Sequence, residues 1–194
     1  DATELLAGEK PEDKVAAGTA PFPDATDISG DGSWVTIAAF DGKEQGFVKG
    51  TPEGKLEPTK AMNGAEMACM GARAVLGADA VLEAPTTAIA GVKGPDWGMQ
   101  CVNAVMNAGL LTPEEVRSVF SGNLGTPVPR KDTAEFIFVL KDDVLPQNGQ
   151  VNNVKDLAQV QQLPEGEVNA IASLQEAGIM GGKKQSDGQF LIDP

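Results

Sequence analysis

Residues 46–77 read GFVKGTPEGKLEPTKAMNGAEMACMGARAVLG. A Gly46-Phe47-Val48-Lys49-Gly50 turn leads into a loop punctuated by Gly and Pro. The loop passes Leu56 and Pro58 and ends in a small-residue helix carrying Ala65-Glu66. Weaker copies of parts of this unit recur twice further on. A chain that repeats one unit three times is read first as an array.

The bulk composition fits that reading. The 194 residues suit one compact domain or a few small units sharing a core. Apolar residues make up 41%, enough for a core, while the 23 glycines and 13 prolines point to many turns between short elements. No run approaches the ~20 apolar residues needed to span a bilayer. No charged-then-apolar leader stands at the start, so Asp1 is compatible with a mature terminus after cleavage and export. The formal charge of −13 makes nucleic acid and anionic lipid poor partners. The chain has no histidine, which removes the commonest general base and metal ligand. Cys69 and Cys101 each sit among apolar helix positions. They are either two buried thiols or one disulfide joining neighbouring helices, which an exported chain would permit. Two cysteines without histidine make neither a zinc site nor a Cys–His nucleophile.

Along the chain, residues 1–20 form a short acidic segment with a helix expected over Glu4–Lys10. In FPDATDISGDGSW (22–34), Asp27, Ser29, Asp31 and Gly32 copy the first half of a calcium loop. The closing acid is missing, because its position is Ala38, so no metal is expected. Helices are expected from Trp34 to Gln45, ended by Gly46, and from Asn63 to Leu76. Residues 78–95 read as a connection. Asp96 is expected to cap a helix over Trp97–Ala108, ended by Gly109. The step from Trp34 to Gly46 thus recurs from Trp97 to Gly109. Thr112 and Glu115 form a capping box for a short helix over 112–120. A closing helix over Asp132–Leu140 carries Ala134-Glu135, where the first unit has Ala65-Glu66. Residues 142–153 read as a polar linker. A third unit opens at Val154-Lys155-Asp156, with a helix over Glu167–Ala177 ended by Gly178, and no closing helix follows. The expected architecture is mainly α: three helix–loop–helix repeats in a pseudo-threefold bundle. The segments are 1–20, repeat 1 at 21–79, repeat 2 at 80–145 and repeat 3 at 146–194.

These residues resemble S-layer homology modules. That family's unit has a Phe-x-Asp lead, a helix starting near Trp, a Gly-Ile/Leu-x-x-Gly turn, an Asp-Gly-x-Phe-x-Pro loop and a helix opening Ile-Thr-Arg-Ala-Glu. The first unit supplies Phe22, Asp24, Trp34, Gly46–Gly50, Glu53–Pro58 and Met62–Glu66. The second supplies Trp97, Gly109-Leu110-Leu111 and Asp132–Phe136. The third supplies Val154–Asp156, Gly178–Gly182 and Asp187–Phe190. The likeness spans about residues 22–194. The resemblance implies a trio of modules that holds an envelope polysaccharide, often anionic, in grooves between units. It implies a non-catalytic anchor on the bacterial cell surface, with a cell-wall or peptidoglycan-linked glycan as partner and no cofactor. Other S-layer subunits are the alternative partner, with the grooves serving lattice assembly. A glycosidase would need two carboxyl groups facing across a cleft, and no spacing selects such a pair, so an enzyme is not expected.

The departures concern the groove. The family's motif arginine is Gly64 in the first unit and Thr133 in the second, and neither replaces a guanidinium fork. The candidate ligand-binding residues are therefore Trp34, Lys49, Lys60, Arg73, Trp97, Arg130, Lys131 and Lys183, with Lys184 beside it. Each lysine also reads as a solvated surface charge, and Arg73 as half of a structural salt bridge. The tryptophans read either as core anchors or as sugar-stacking platforms. Glu66 and Glu135 read as first-turn acids that favour the helix dipole. The third unit invites three explanations: a truncated chain, a naturally incomplete unit, or residues 2–17 docking as the missing helix. The last is preferred, because Val168, Ile171 and Leu174 would otherwise leave an apolar face uncovered.

Overall fold

The computed structural model describes residues 21–25, 33–141, 144–147, 149–181, 183–187 and 190–192. The chain is mainly helical. The described residues form α1 (Ser33–Glu44), α2 (Gly64–Leu76), α3 (Ala78–Glu83), α4 (Asp96–Asn107), α5 (Pro113–Val119), α6 (Arg130–Leu140), α7 (Leu157–Val160) and α8 (Glu165–Glu176). Strands β1 (Lys183–Lys184) and β2 (Phe190–Leu191) pair antiparallel. No helix among the described residues is long and apolar enough to cross a membrane.

Three of these helices share one local design. Helices α1, α4 and α8 each have 12 residues. Two positions beyond each stands a glycine with left-handed backbone: Gly46 (φ 81°), Gly109 (φ 75°) and Gly178 (φ 71°). Glycine alone takes that conformation without steric cost, and it lets the chain turn back over the helix end. After α4, Leu110 N–H donates to Val105 C=O at 3.1 Å. After α8, Ile179 N–H donates to Leu174 C=O at 2.8 Å.

In each case the loop beyond the turn returns to the lead ahead of the helix. Leu56 and Glu57 donate their N–H groups to the Asp24 carboxylate, both at 2.8 Å. Leu124 N–H donates to Lys93 C=O at 2.8 Å, and Lys155 N–H to Phe190 C=O at 2.8 Å. Ile192 N–H closes on Asp156 Oδ1 at 3.0 Å.

Helix starts follow the local chemistry, with some differences from the sequence expectation. Asn63 and Glu66 form a capping box on α2, and Thr112 and Glu115 form one on α5. Asp96 does not cap α4. Pro95 holds the cap position in extended backbone, and Asp96 lies in the first turn, where its charge favours the helix dipole. Helices α6 and α8 likewise begin directly after Pro129 and Pro164, two residues earlier than expected. A proline presets the backbone for a helix start, and its fixed φ outranks polar capping signals downstream. Glu135 consequently lies in the second turn of α6, not the first. The connection at 78–95 contains α3, whose six residues are too few to show a period. Side chains of α4 hold this segment: Gln100 donates to the carbonyls of Leu82 and Ala84, and Asn103 to those of Pro85 and Thr87.

Among the described residues the core has three clusters. The largest joins α2, α4, α5 and α6 around Ala68, Val102, Val116, Leu124 and Phe136. Ala65 faces Gly98 so closely that a Cβ on Gly98 would lie 2.7 Å from the alanine methyl. One turn further along both helices, Cys69 is disulfide-bonded to Cys101, with Cα atoms 4.9 Å apart. The two helices therefore run in the same sense, seamed by small residues and one covalent link. On its other flank α2 presents Gly71 to Phe136 and Leu140 of α6. The second cluster packs α6 against α8 and includes Leu145, Val151, Val160 and Ile192. The third is small: Phe22, Ala25 and Ala39, with Val48 and Leu56 against them.

The face expected to need covering is buried. Ile171 and Leu174 are fully buried, Val168 packs against the same cluster, and the stretch read as a polar linker contributes Leu145 and Val151. Residues 2–17, expected to dock there, lie outside the described residues, as does the partial calcium-loop pattern at Asp27, Ser29, Asp31 and Gly32.

Candidate functional site

Gly64 stands where the motif that the sequence resembles has arginine. Leu124 sits over it, fully buried, in a socket of three glycines. A Cβ on Gly94 would lie 2.7 Å from Leu124 Cβ, one on Gly98 3.4 Å from Leu124 Cδ1, and one on Gly64 3.1 Å from Leu124 Cα. The loop carrying Leu124 also satisfies the first N–H groups of α2. Gly64 N–H donates to Thr126 C=O at 3.1 Å and Ala65 N–H to Leu124 C=O at 2.8 Å. A side chain at position 64 would meet Phe120 at 2.9 Å and the backbone of Leu124. The packing of the 120–126 loop thus leaves no room for a side chain at position 64. At the matching position of α6, Thr133 donates its hydroxyl to Pro129 C=O at 3.0 Å.

The sequence-predicted residues do not converge on one site. Lys49 is exposed in the turn after α1. Lys60 pairs with Glu66 at 3.0 Å and Glu57 at 3.4 Å, and those carboxylates hold its pKa above the ordinary lysine value. Arg73 is half-buried on α2, has no salt bridge among the described residues, and burial lowers its pKa. The structural salt bridge expected of it is absent there. Trp97 is 49% exposed, so it is not a buried anchor at the helix start. Because α2 and α4 run in the same sense, Trp97 and Arg73 stand at opposite ends of their seam, about 12 Å apart along the axis at 1.5 Å per residue. Arg130 clasps the C-terminal hairpin: Nε donates to Ile192 C=O at 2.7 Å and Nη2 to Gly181 C=O at 3.0 Å. Lys183 pairs through its backbone with Leu191 in the hairpin. The side chains of Trp34, Lys183 and Lys184 lie outside the described set.

Lys131 leads to a cluster that sequence spacing did not single out. Its Nζ lies 2.6 Å from Asp132 Oδ1 and 3.0 Å from Glu167 Oε1, bridging α6 to α8. Burial pulls its pKa down, but the bonds to Asp132 and Glu167 outweigh this and hold it above the ordinary lysine value. Asp132 is only 4% exposed, and Glu167 Oε2 is buried without a hydrogen-bond partner. Glu135, one turn beyond Lys131, has its pKa raised by burial first, then by the charges of Glu167 and Asp132. Three carboxylates thus crowd one ammonium. The signal available in sequence was the four-residue step from Lys131 to Glu135 on one helix face; its partner Glu167 comes from a distant helix. Among the described residues no group of acids and cysteines is arranged to hold a metal ion.

A scan against protein-family models finds no match, and a search of curated proteins finds none.

Proposed function

We propose that the chain is an array of three S-layer-homology-like repeats, arranged with pseudo-threefold symmetry, that anchors a protein non-catalytically to a bacterial cell-wall polysaccharide. The observation that carries this reading is the threefold recurrence of one local design: a 12-residue helix, a left-handed glycine at the same offset, and a loop returning to the lead. A simple bundle has no need for that recurrence. The Cys69–Cys101 disulfide supports maturation in an oxidising compartment, as an exported surface protein would have. The ligand contacts fall to Trp97, an exposed ring able to stack on a sugar, and to Arg73, the half-buried cation without a salt bridge among the described residues.

Co-sedimentation with purified envelope, before and after extraction of its secondary polymer, tests this reading. Binding that needs the polymer and weakens in Trp97→Ala or Arg73→Ala supports it. Binding indifferent to extraction rejects it.

A second reading has its own observation. Position 64 is closed by Phe120 and Leu124, so the groove expected between the first two units is filled by the chain itself. In that reading the surface joins copies of the parent protein into a lattice. It predicts concentration-dependent self-association without glycan.

A further inference from the structure

The chain between α2 and α4 wraps around the helix that follows it. Helix α3 packs on both α2 and α4, so it spans the two helices that the Cys69–Cys101 disulfide joins. Gln100, the neighbour of Cys101, donates its side-chain amide to Leu82 C=O at 3.1 Å and to Ala84 C=O at 3.0 Å. One turn later Asn103 donates to Pro85 C=O at 3.1 Å and to Thr87 C=O at 2.8 Å. The segment then crosses to α5, where Arg117 Nη1 donates to Ala90 C=O at 3.1 Å. Val81 enters the apolar cluster that holds both cysteines, and each cysteine is only 2% exposed.

Residues 78–95 are thus fastened by polar side chains more than by a wide apolar face. Val81, Ile89 and Val92 are buried, while most of the others are exposed. A segment with few buried apolar contacts opens at lower free energy than the core it lies on. A thiolate must reach a disulfide sulfur in order to displace the other sulfur. In the folded chain neither cysteine offers that approach.

We propose that residues 78–95 form a strap that shelters the Cys69–Cys101 disulfide from thiol reductants, and that release of this strap, not unfolding of the whole chain, sets the rate at which the bond is reduced.

With a small dithiol as the reductant the exchange balances. Its thiolate attacks one cysteine sulfur, the S–S bond breaks, and a mixed disulfide forms. The other cysteine leaves as a thiolate and takes up a proton. The second sulfur of the dithiol then displaces the first cysteine. Two electrons pass to the protein, which gains two thiols, and the dithiol ends as a cyclic disulfide.

The test is reduction of the folded full chain by dithiothreitol without denaturant, quenched with iodoacetamide and followed by mass as two alkylated cysteines appear. Gln100→Ala and Asn103→Ala each remove two bonds from the strap and should speed reduction roughly tenfold. Gln175→Ala is the control. It removes two bonds of the same kind from α8 to the backbone of Asn152 and should leave the rate unchanged. Equal rates in all forms, or equal acceleration in all three variants, would overturn the strap. Hydrogen exchange on the wild type gives a readout that needs no variant to fold. The hydrogen-bonded amides of Ala84 and Val92 should exchange faster than those of Ala68 and Val102 in the helices beneath. Equal protection would mean that the strap opens only with the core, and the proposal would fail.

Discussion

At the scale of single residues, Leu124 does more than any residue singled out by its chemistry. It joins α2, the backbone at Lys93 and α4 through one side chain and two backbone bonds. Nothing in the sequence marks it: NLGT (123–126) has no period and no cap, and the glycines that receive it lie 60, 30 and 26 positions away. Truncating Leu124 to alanine should destabilise the chain by about 2–5 kcal/mol, measured by urea unfolding, because the socket is walled by backbone and cannot collapse. Gly64→Arg, which would place there the arginine of the motif that the sequence resembles, should also destabilise and should not create an anion site, since its Cβ meets Phe120 and Leu124. Calorimetric stability and titration with a carboxylated sugar would check both parts. Glu66, by contrast, was legible. An acid three residues after Asn63 is a local signal, and it forms the capping box. Local chemistry could be read from the sequence; sockets assembled from distant segments could not.

At the scale of elements, the readable features were those with a period or a punctuation mark. The opening helices and their glycines fall within one or two residues of expectation. The misreadings here have two causes: Pro95 took the cap position expected of Asp96, and α3 was too short to show a face. Arg130 shows how a charged side chain becomes an element's fastener. Replacing it with alanine removes two hydrogen bonds from a cation to carbonyls of the C-terminal hairpin. A partly buried bond from a charged donor is worth about 1.5–3 kcal/mol; the bond to Ile192 is partly buried and the bond to Gly181 exposed, so the local stability of this hairpin should fall by about the worth of the first. Hydrogen exchange should show it as faster exchange at Lys155 and Ile192, with α2 and α4 unaffected.

At the scale of the molecule, the units of the proposed array and the packing partners are offset by one helix. In the proposed array α2 closes one unit and α4 opens the next, and these two helices pack on each other. Helices α6 and α8 do the same. Sequence similarity reports where a motif restarts. Burial reports which apolar faces meet, and the faces that meet belong to consecutive units of the proposed array. The disulfide lies on the first of these junctions. Loss of both cysteines, as Cys69→Ser with Cys101→Ser, should cost about 3–4 kcal/mol by the loop-closure entropy of its 32-residue span, read as the loss in unfolding free energy.

That same covalent junction decides how the chain would carry a pulling force. Load applied at its two ends passes from Cys69 directly to Cys101 and bypasses everything between them, α3 included. Roughly 100 Å of backbone, at about 3.5 Å per residue over the 32-residue span, is held in reserve. A single-molecule stretching experiment should find the unfolded contour longer by that amount once a reductant is added. The slack is locked in until the thiols are freed.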